Sequence, residues 1–181
     1  MIFFLLVFGV IEVSRLLFLY NTLQEATRRA AAGAARVYPT DTAGMDKVRQ
    51  DAVFRNAPGE LLLGSPVSDR HVRIDYLALT RDNTGKLSLS KIDNSALPPS
   101  AAQNRAICMG DPNAANCVRF VRASICDTAF TETCRPVTAK SLVPLVDLPV
   151  SLHKATTIAT VESFGYSAGT PPLAPLPPFL P

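Results

Sequence analysis

Four cysteines are the closest this chain comes to reactive chemistry. Cys108, Cys117, Cys126 and Cys134 are separated by eight, eight and seven intervening residues. Thiolates at such positions could hold a metal or form bridges. Structural zinc sites pair their ligands about two to four residues apart within each half, and this spacing does not. A disulfide needs Cα atoms within about 7 Å. The stretch "VRFVRASI" (118–125) reads as a strand, and at about 3.3 Å per residue it holds Cys117 and Cys126 too far apart to bond. The favoured pairing is therefore Cys108–Cys117 and Cys126–Cys134, closing one short loop at either end of that strand, with the crossed pairings left open. Such bridges contribute about 2–4 kcal/mol each and, behind an apolar N-terminus, point to an oxidising compartment outside the cytoplasm.

Other reactive patterns are missing from the sequence. His71 starts a strand and His153 precedes another, and both read as surface histidines. There is no HExxH, no glycine-rich phosphate loop and no GxSxG. "GDPNAAN" (110–116) offers carboxylate and amide oxygens without EF-hand spacing, so it reads as a polar loop closed by a bridge. Asp127 and Glu132 are too ordinary a pair to carry chemistry. The expectation is a protein without catalytic residues, metal or cofactor. A net charge of +3 with 18% charged residues, and Lys and Arg scattered without interleaved aromatics, argues against a nucleic-acid partner.

The elements that must position these bridges begin with "FFLLVFGVIEVSRLLFLYNTLQEATRR". Residues 1–11 are apolar without a break, and 16–20 are apolar again. A membrane span takes about 20 apolar residues. A cleaved signal would carry a basic region ahead of the run and a small-residue cleavage site after it. Here Glu12 ends the run and no Lys or Arg precedes it. Good helix formers continue from Asn21 to Val37, and Tyr38-Pro39 closes the helix because the residue before proline avoids α geometry. At 1.5 Å per residue the rod reaches roughly 55 Å, well past a bilayer core of about 30 Å. Its second half must stand in water or lie on a domain. Leu16, Leu19, Leu23, Ala26 and Ala30 recur at three- and four-residue steps and give that half an apolar stripe. The small residues at 30–35 permit close approach of another element. Glu12 and Arg15 sit one turn apart on one face. They either pair with each other near the outer lipid edge, or Glu12 meets a positive group on a neighbouring subunit.

The stretch "FGVIEVSRLLFLYNTLQEATRRAAAGAARV" resembles the TadE-type minor pilins of the tight-adherence (Tad/Flp) pilus system. Phe8, Gly9, Glu12, Arg15, Asn21, Ala26, Arg28, Gly33 and Ala34 carry the likeness, which covers about the first forty residues; beyond them only the general layout agrees. The resemblance implies a type IV-like pilus component that packs by its N-terminal helix and primes or caps the filament. Gly9, Glu12, Arg15, Leu16, Leu19, Leu23, Ala26 and Ala30 would be its helix-packing and charge-pair positions. Implied partners are other pilins and minor pilins, the inner-membrane assembly machinery and membrane lipid. The implied location is the bacterial inner membrane with a periplasmic head, and later the cell-surface filament. It also implies a short basic leader, a prepilin-peptidase site and an early Glu ahead of Met1, so no processing site is placed on the residues given. The alternative from another class is a membrane-tethered periplasmic binding module, with the helix only an anchor.

The remainder reads as an α+β head. Residues 41–56 form a short amphipathic helix with Met45, Val48 and Ala52 on one face, capped by Asp41 or Thr42 and ended by Pro58-Gly59. "HVRIDYLAL" (71–79) alternates, with Val72, Ile74 and Tyr76 on one face. "DNTGK" (82–86) turns the chain into "KLSLSKI" (86–92), its hairpin partner. "SALPPSAAQN" reads as a loop and "KATTIATVESF" (154–164) as the last strand. The organisation expected is pilin-like: a helix over 1–38, membrane-inserted in its first half and packed on a small antiparallel sheet; a head over 39–168; and a Pro-rich flexible tail over 169–181.

Overall fold

The computed structural model describes residues 2–131, 133–141, 150–152, 155–161 and 164. The segment expected to be a Pro-rich tail, and His153 and Glu132, lie outside these residues.

The first element, α1 (Ile2–Ala34), is one unbroken helix of 33 residues, about 50 Å long at the standard rise. It stops four residues before Tyr38, earlier than the sequence suggests. Gly33 is the reason: its carbonyl accepts from both Arg36 and Val37, tightening the last turn where a residue of poor helix propensity allows it. A turn then leads to α2 (Thr42–Ala52), whose N-cap Asp41 accepts from the Gly44 amide. That cap satisfies one of the free amides at the helix start. Met45, Val48 and Ala52 form the buried face of α2 and rest on α1. The small residues of α1 make this approach possible, since a Cβ at Gly33 would stand 3.0 Å from Val48 Cγ1.

Four antiparallel strands build the sheet: β1 (Val72–Arg81), β2 (Leu87–Lys91), β3 (Phe120–Ile125) and β6 (Thr156–Thr160), in the order β2-β1-β3-β6. The β1–β2 turn closes on Asp82, which accepts from the amides of Thr84 and Lys86, and Gly85 supplies the positive φ of 83° that the turn requires. A separate two-stranded ribbon pairs β4 (Thr138–Ala139) with β5 (Val150–Ser151). Strand alternation sends Val72, Tyr76, Val121, Ala123 and Ile125 into one buried cluster with Leu19, Leu23, Ala30, Ala31 and Ala34 of α1. The fold is α+β, a long apolar helix laid on a small antiparallel sheet.

The segment expected to be a loop is partly helical. After a short 3-10 turn at Asn94–Ala96, α3 runs over Ala101–Gly110, and Ser100 Oγ accepts from the Gln103 amide. The Ser-Ala-Ala-Gln spacing is the sequence form of a capping box, and the two prolines just before it masked that signal. Asn104 on α3 is buried and bonds Val118 through both amide positions, donating to its carbonyl and accepting from its N–H. It docks the helix onto the entry to β3.

Candidate membrane and assembly helix

The second half of α1 is an internal strut. Leu19, Leu23, Ala26, Thr27, Ala30, Ala31 and Ala34 are buried, and Leu16 packs half-buried at the edge of the core. Thr27 Oγ1 lies 2.9 Å from Thr157 Oγ1 on β6, and the Tyr20 hydroxyl donates to the Ser151 carbonyl at 3.4 Å. Burying the two leucines contributes about 1.5–3 kcal/mol each, so the head holds the helix by its apolar stripe. Near its other end, Arg29 stacks over the Phe54 ring at 4.3 Å.

The first half is the reverse. Phe3, Phe4, Leu5, Leu6, Val7, Val10 and Ile11 are exposed, and so are Val13, Leu17 and Phe18 on the side turned from the head. Gly9 lies in this projecting stretch with nothing near the site of a Cβ, so it is not brought together with the buried stripe. This is one helix long and apolar enough to cross a membrane among the described residues, and only 17% of its most apolar stretch is buried. A core helix of a soluble globule would be mostly buried; this one is not. The apolar belt runs from Phe3 to Phe18, and exposed polar side chains take over at Asn21 and Gln24.

Between the two halves stands the charge pair. Arg15 Nη1 lies 2.7 Å from Glu12 Oε1, and both side chains are almost wholly buried. The cover comes from the head. Arg15 Nε donates to the Leu63 carbonyl at 2.9 Å, and Nη1 donates to the Lys140 carbonyl at 2.8 Å. Three acceptors thus converge on one guanidinium, a geometry that its planar fork of donors suits and a lysine ammonium does not. Ionisable residues at membrane depth are tolerated when they pair with each other and with backbone carbonyls, and both conditions are met within this single chain. The partner for Arg15 is therefore local, and two head loops complete it. The periodicity of α1 places Glu12 and Arg15 together, but the carbonyls 48 and 125 positions away have no sequence signal.

The loop that supplies Leu63 is tightly built. Leu61 and Val67 are buried, the Leu61 amide donates to the Val67 carbonyl, and the Gly64 amide to the Leu61 carbonyl. Leu63 takes a left-handed backbone with φ 57°, which costs a bulky residue about 1–3 kcal/mol. His71 braces the base of this loop: its Nδ1 accepts from the Ser68 amide at 3.0 Å. Burial pushes the His71 imidazole below its ordinary value, and Asp127, Asp69 and Glu60 offset this only in part. A shallow depression of about 440 Å³ lies beside it, lined by Pro58, Glu60, Asp69 and His71 among others. Among the described residues no cluster of His, Cys, Asp or Glu could hold a metal ion.

On the sheet face turned from α1, Asp75 is buried amid three cations. Arg122 Nη2 stands 2.8 Å from it, Lys91 Nζ 3.1 Å and Arg73 Nε 3.4 Å. Burial drives its pKa up, but the hydrogen bonds from Arg122 and Lys91, with Arg73 nearby, more than offset this and hold the carboxyl below 3.8. The register that pairs Asp75 with Arg122 creates the cluster, and a single strand read alone does not reveal it.

The cysteines form two bridges, Cys108–Cys117 and Cys126–Cys134, with Cα separations of 5.1 and 4.9 Å. One ties the end of α3 to the segment entering β3, and the other ties the exit of β3 to the segment leading to β4. They flank β3, one of the two inner strands of the sheet.

Residues 1–32 match the family described as TadE-like protein. Neither the curated proteins nor the solved structures contain a match.

Proposed function

We propose, from this TadE-like N-terminal helix, that the chain is a component of a tight-adherence pilus, and more narrowly a minor pilin. The first half of α1 would lie in the bacterial inner membrane with the disulfide-bridged head in the periplasm. The assembly machinery would then draw the helix out of lipid, and contacts with the helices of other pilins would replace the lipid contacts. The chain would prime or cap the fibre. The role is assembly, with no reaction to catalyse.

The observation that carries the reading is the division of α1 at Glu12–Arg15, bare and apolar before it, built into the head after it. An unpartnered apolar helix extending from a folded head needs either lipid or other helices, and pilus assembly exchanges one for the other. In such an exchange van der Waals packing of helix faces takes over from equally apolar lipid tails. No atom of the chain lies near the Cβ position of Gly9, and a neighbouring helix could come close there.

The test is genetic and biochemical. In a strain lacking this chain, piliation and adhesion should fall, and wild-type protein should restore them. Sheared pili from the wild type should contain the chain in small amount. Unchanged piliation and adhesion in the deletion strain would refute the pilin reading and favour a tethered binding module.

A further inference from the structure

We propose that the head has its own membrane contact, the loop Leu61–Gly64, which sets Leu62 and Leu63 into the bilayer interface beside α1. The inference rests on the reading of α1 as a membrane helix. Leu62 and Leu63 are 72% and 53% exposed. Single exposed leucines are common on soluble surfaces, but these two are adjacent and their position is fixed. The Leu63 carbonyl accepts from Arg15 Nε, which holds the loop against the helix at that level. Exposed Leu17 and Phe18 lie beyond Arg15, up to three residues or about 4.5 Å further from the N-terminus at the helical rise. The loop therefore sits within the apolar belt of α1, below its polar edge.

The loop's construction fits an inserted wedge. Leu61 and Val67 point into the core and anchor it, and internal hydrogen bonds take up the amides of Leu61, Gly64 and Val67. The amides at the Leu62–Leu63 tip are left to water, which the headgroup interface supplies and the hydrocarbon core does not. Lys140, whose carbonyl shares the same guanidinium, is exposed at the same level. A lysine stem can lie along lipid with its ammonium at the headgroups. Apolar tips flanked by a cation suit a lipid surface, and the contact would fix the tilt of the head on the membrane.

The chain contains no tryptophan, so one substitution creates a single emitter. Leu62→Trp, Phe4→Trp and Met109→Trp would each be placed in full-length protein in nanodiscs whose lipids are brominated either near the glycerol or near the chain midpoint. All three sites are exposed, and intact bridges by mass spectrometry would verify the fold. Leu62→Trp should emit to the blue of Met109→Trp and be quenched by shallow bromines, at a depth of roughly 5–10 Å, while Phe4→Trp is quenched by deep ones. If Phe4→Trp is quenched and Leu62→Trp behaves like Met109→Trp, the loop contact is wrong and the membrane helix stands. A blue-shifted but unquenched Leu62→Trp means the loop is covered by protein, which also overturns the proposal. If neither Phe4→Trp nor Leu62→Trp is quenched, the membrane reading of α1 falls and the loop contact with it.

Discussion

Arg15 reaches across 48 positions of sequence to place its Nε 2.9 Å from the carbonyl of Leu63, while its Nη1 holds Glu12 at 2.7 Å. One side chain thus neutralises a helix carboxylate and fastens the head at the point where α1 leaves it.

Arg15→Ala should loosen this junction more than the rest of the head. Hydrogen bonds to Glu12, Leu63 and Lys140 go together, and the loss should come to about 3 kcal/mol when the acceptors stay dry. Hydrogen exchange should quicken across residues 61–67 and 138–141 and change little in the central strands. Arg15→Lys should fall between the two, because a point charge cannot serve three acceptors in a planar fork. Equal protection in wild type and Arg15→Ala would contradict the fastening role.

The surface of α1 that meets α2 tolerates no bulk. Gly33→Leu would drive a side chain into Val48, whose methyls stand only 3.0 and 3.1 Å from where its Cβ would lie. A destabilisation of about 1–3 kcal/mol is expected from overpacking, seen as a lower urea midpoint. The same change at Ala32, which is exposed, should leave the midpoint nearly unmoved.

Asp75 sets an acid limit on the sheet. Its carboxyl is held below 3.8 in the folded chain, so its contribution is complete above the unfolded value and is lost as pH falls through the folded one. Asp75→Asn should lower stability at neutral pH by about 2 kcal/mol, a figure already reduced for its partly exposed partners. It should also flatten the stability curve below pH 3.8. An unchanged slope in the variant would mean that the three cations do not stabilise the carboxylate.

His71 acts in a milder window. Burial lowers its pKa from 6.5, so the unfolded chain takes the proton first and stability declines as pH falls below that value. Protonation also removes the Nδ1 acceptor of the Ser68 amide. His71→Ala should be less stable than wild type at pH above 6.5 and should lack this decline. Chemical denaturation on either side of that pH would reveal it.

Reduction should destabilise the head, and with it the buried second half of α1. Each bridge closes a short loop, with sequence separations of nine and eight, for which loop closure gives about 2.5 kcal/mol. Mild reductant should lower the melting temperature, and proteolysis under non-reducing conditions should yield Cys108–Cys117 and Cys126–Cys134 as linked peptides. Linked peptides with crossed partners would contradict the structure.

Much of this architecture was written in local pattern. The apolar run and its three- and four-residue stripe specify α1, because burial on a helix depends on periods that neighbours in sequence reveal. The hairpin at Asp82–Lys86 and the capped α2 were equally legible, since turns and caps are made by adjacent residues. The capping signal of α3 was present at Ser100 and Gln103, but the prolines before it outweighed it. Tertiary structure alone decided what surrounds Glu12 and Arg15. Leu63 and Lys140 contribute backbone carbonyls, and every residue carries one, so no residue type can announce them. Only the folded path of two distant loops brings those oxygens to the guanidinium, and the Asp75 cluster likewise exists because strand register puts Arg122 opposite it. Residue types determine which groups can bond; the three-dimensional path of the chain selects which of them meet, because a hydrogen bond depends on distance and direction that no single segment contains.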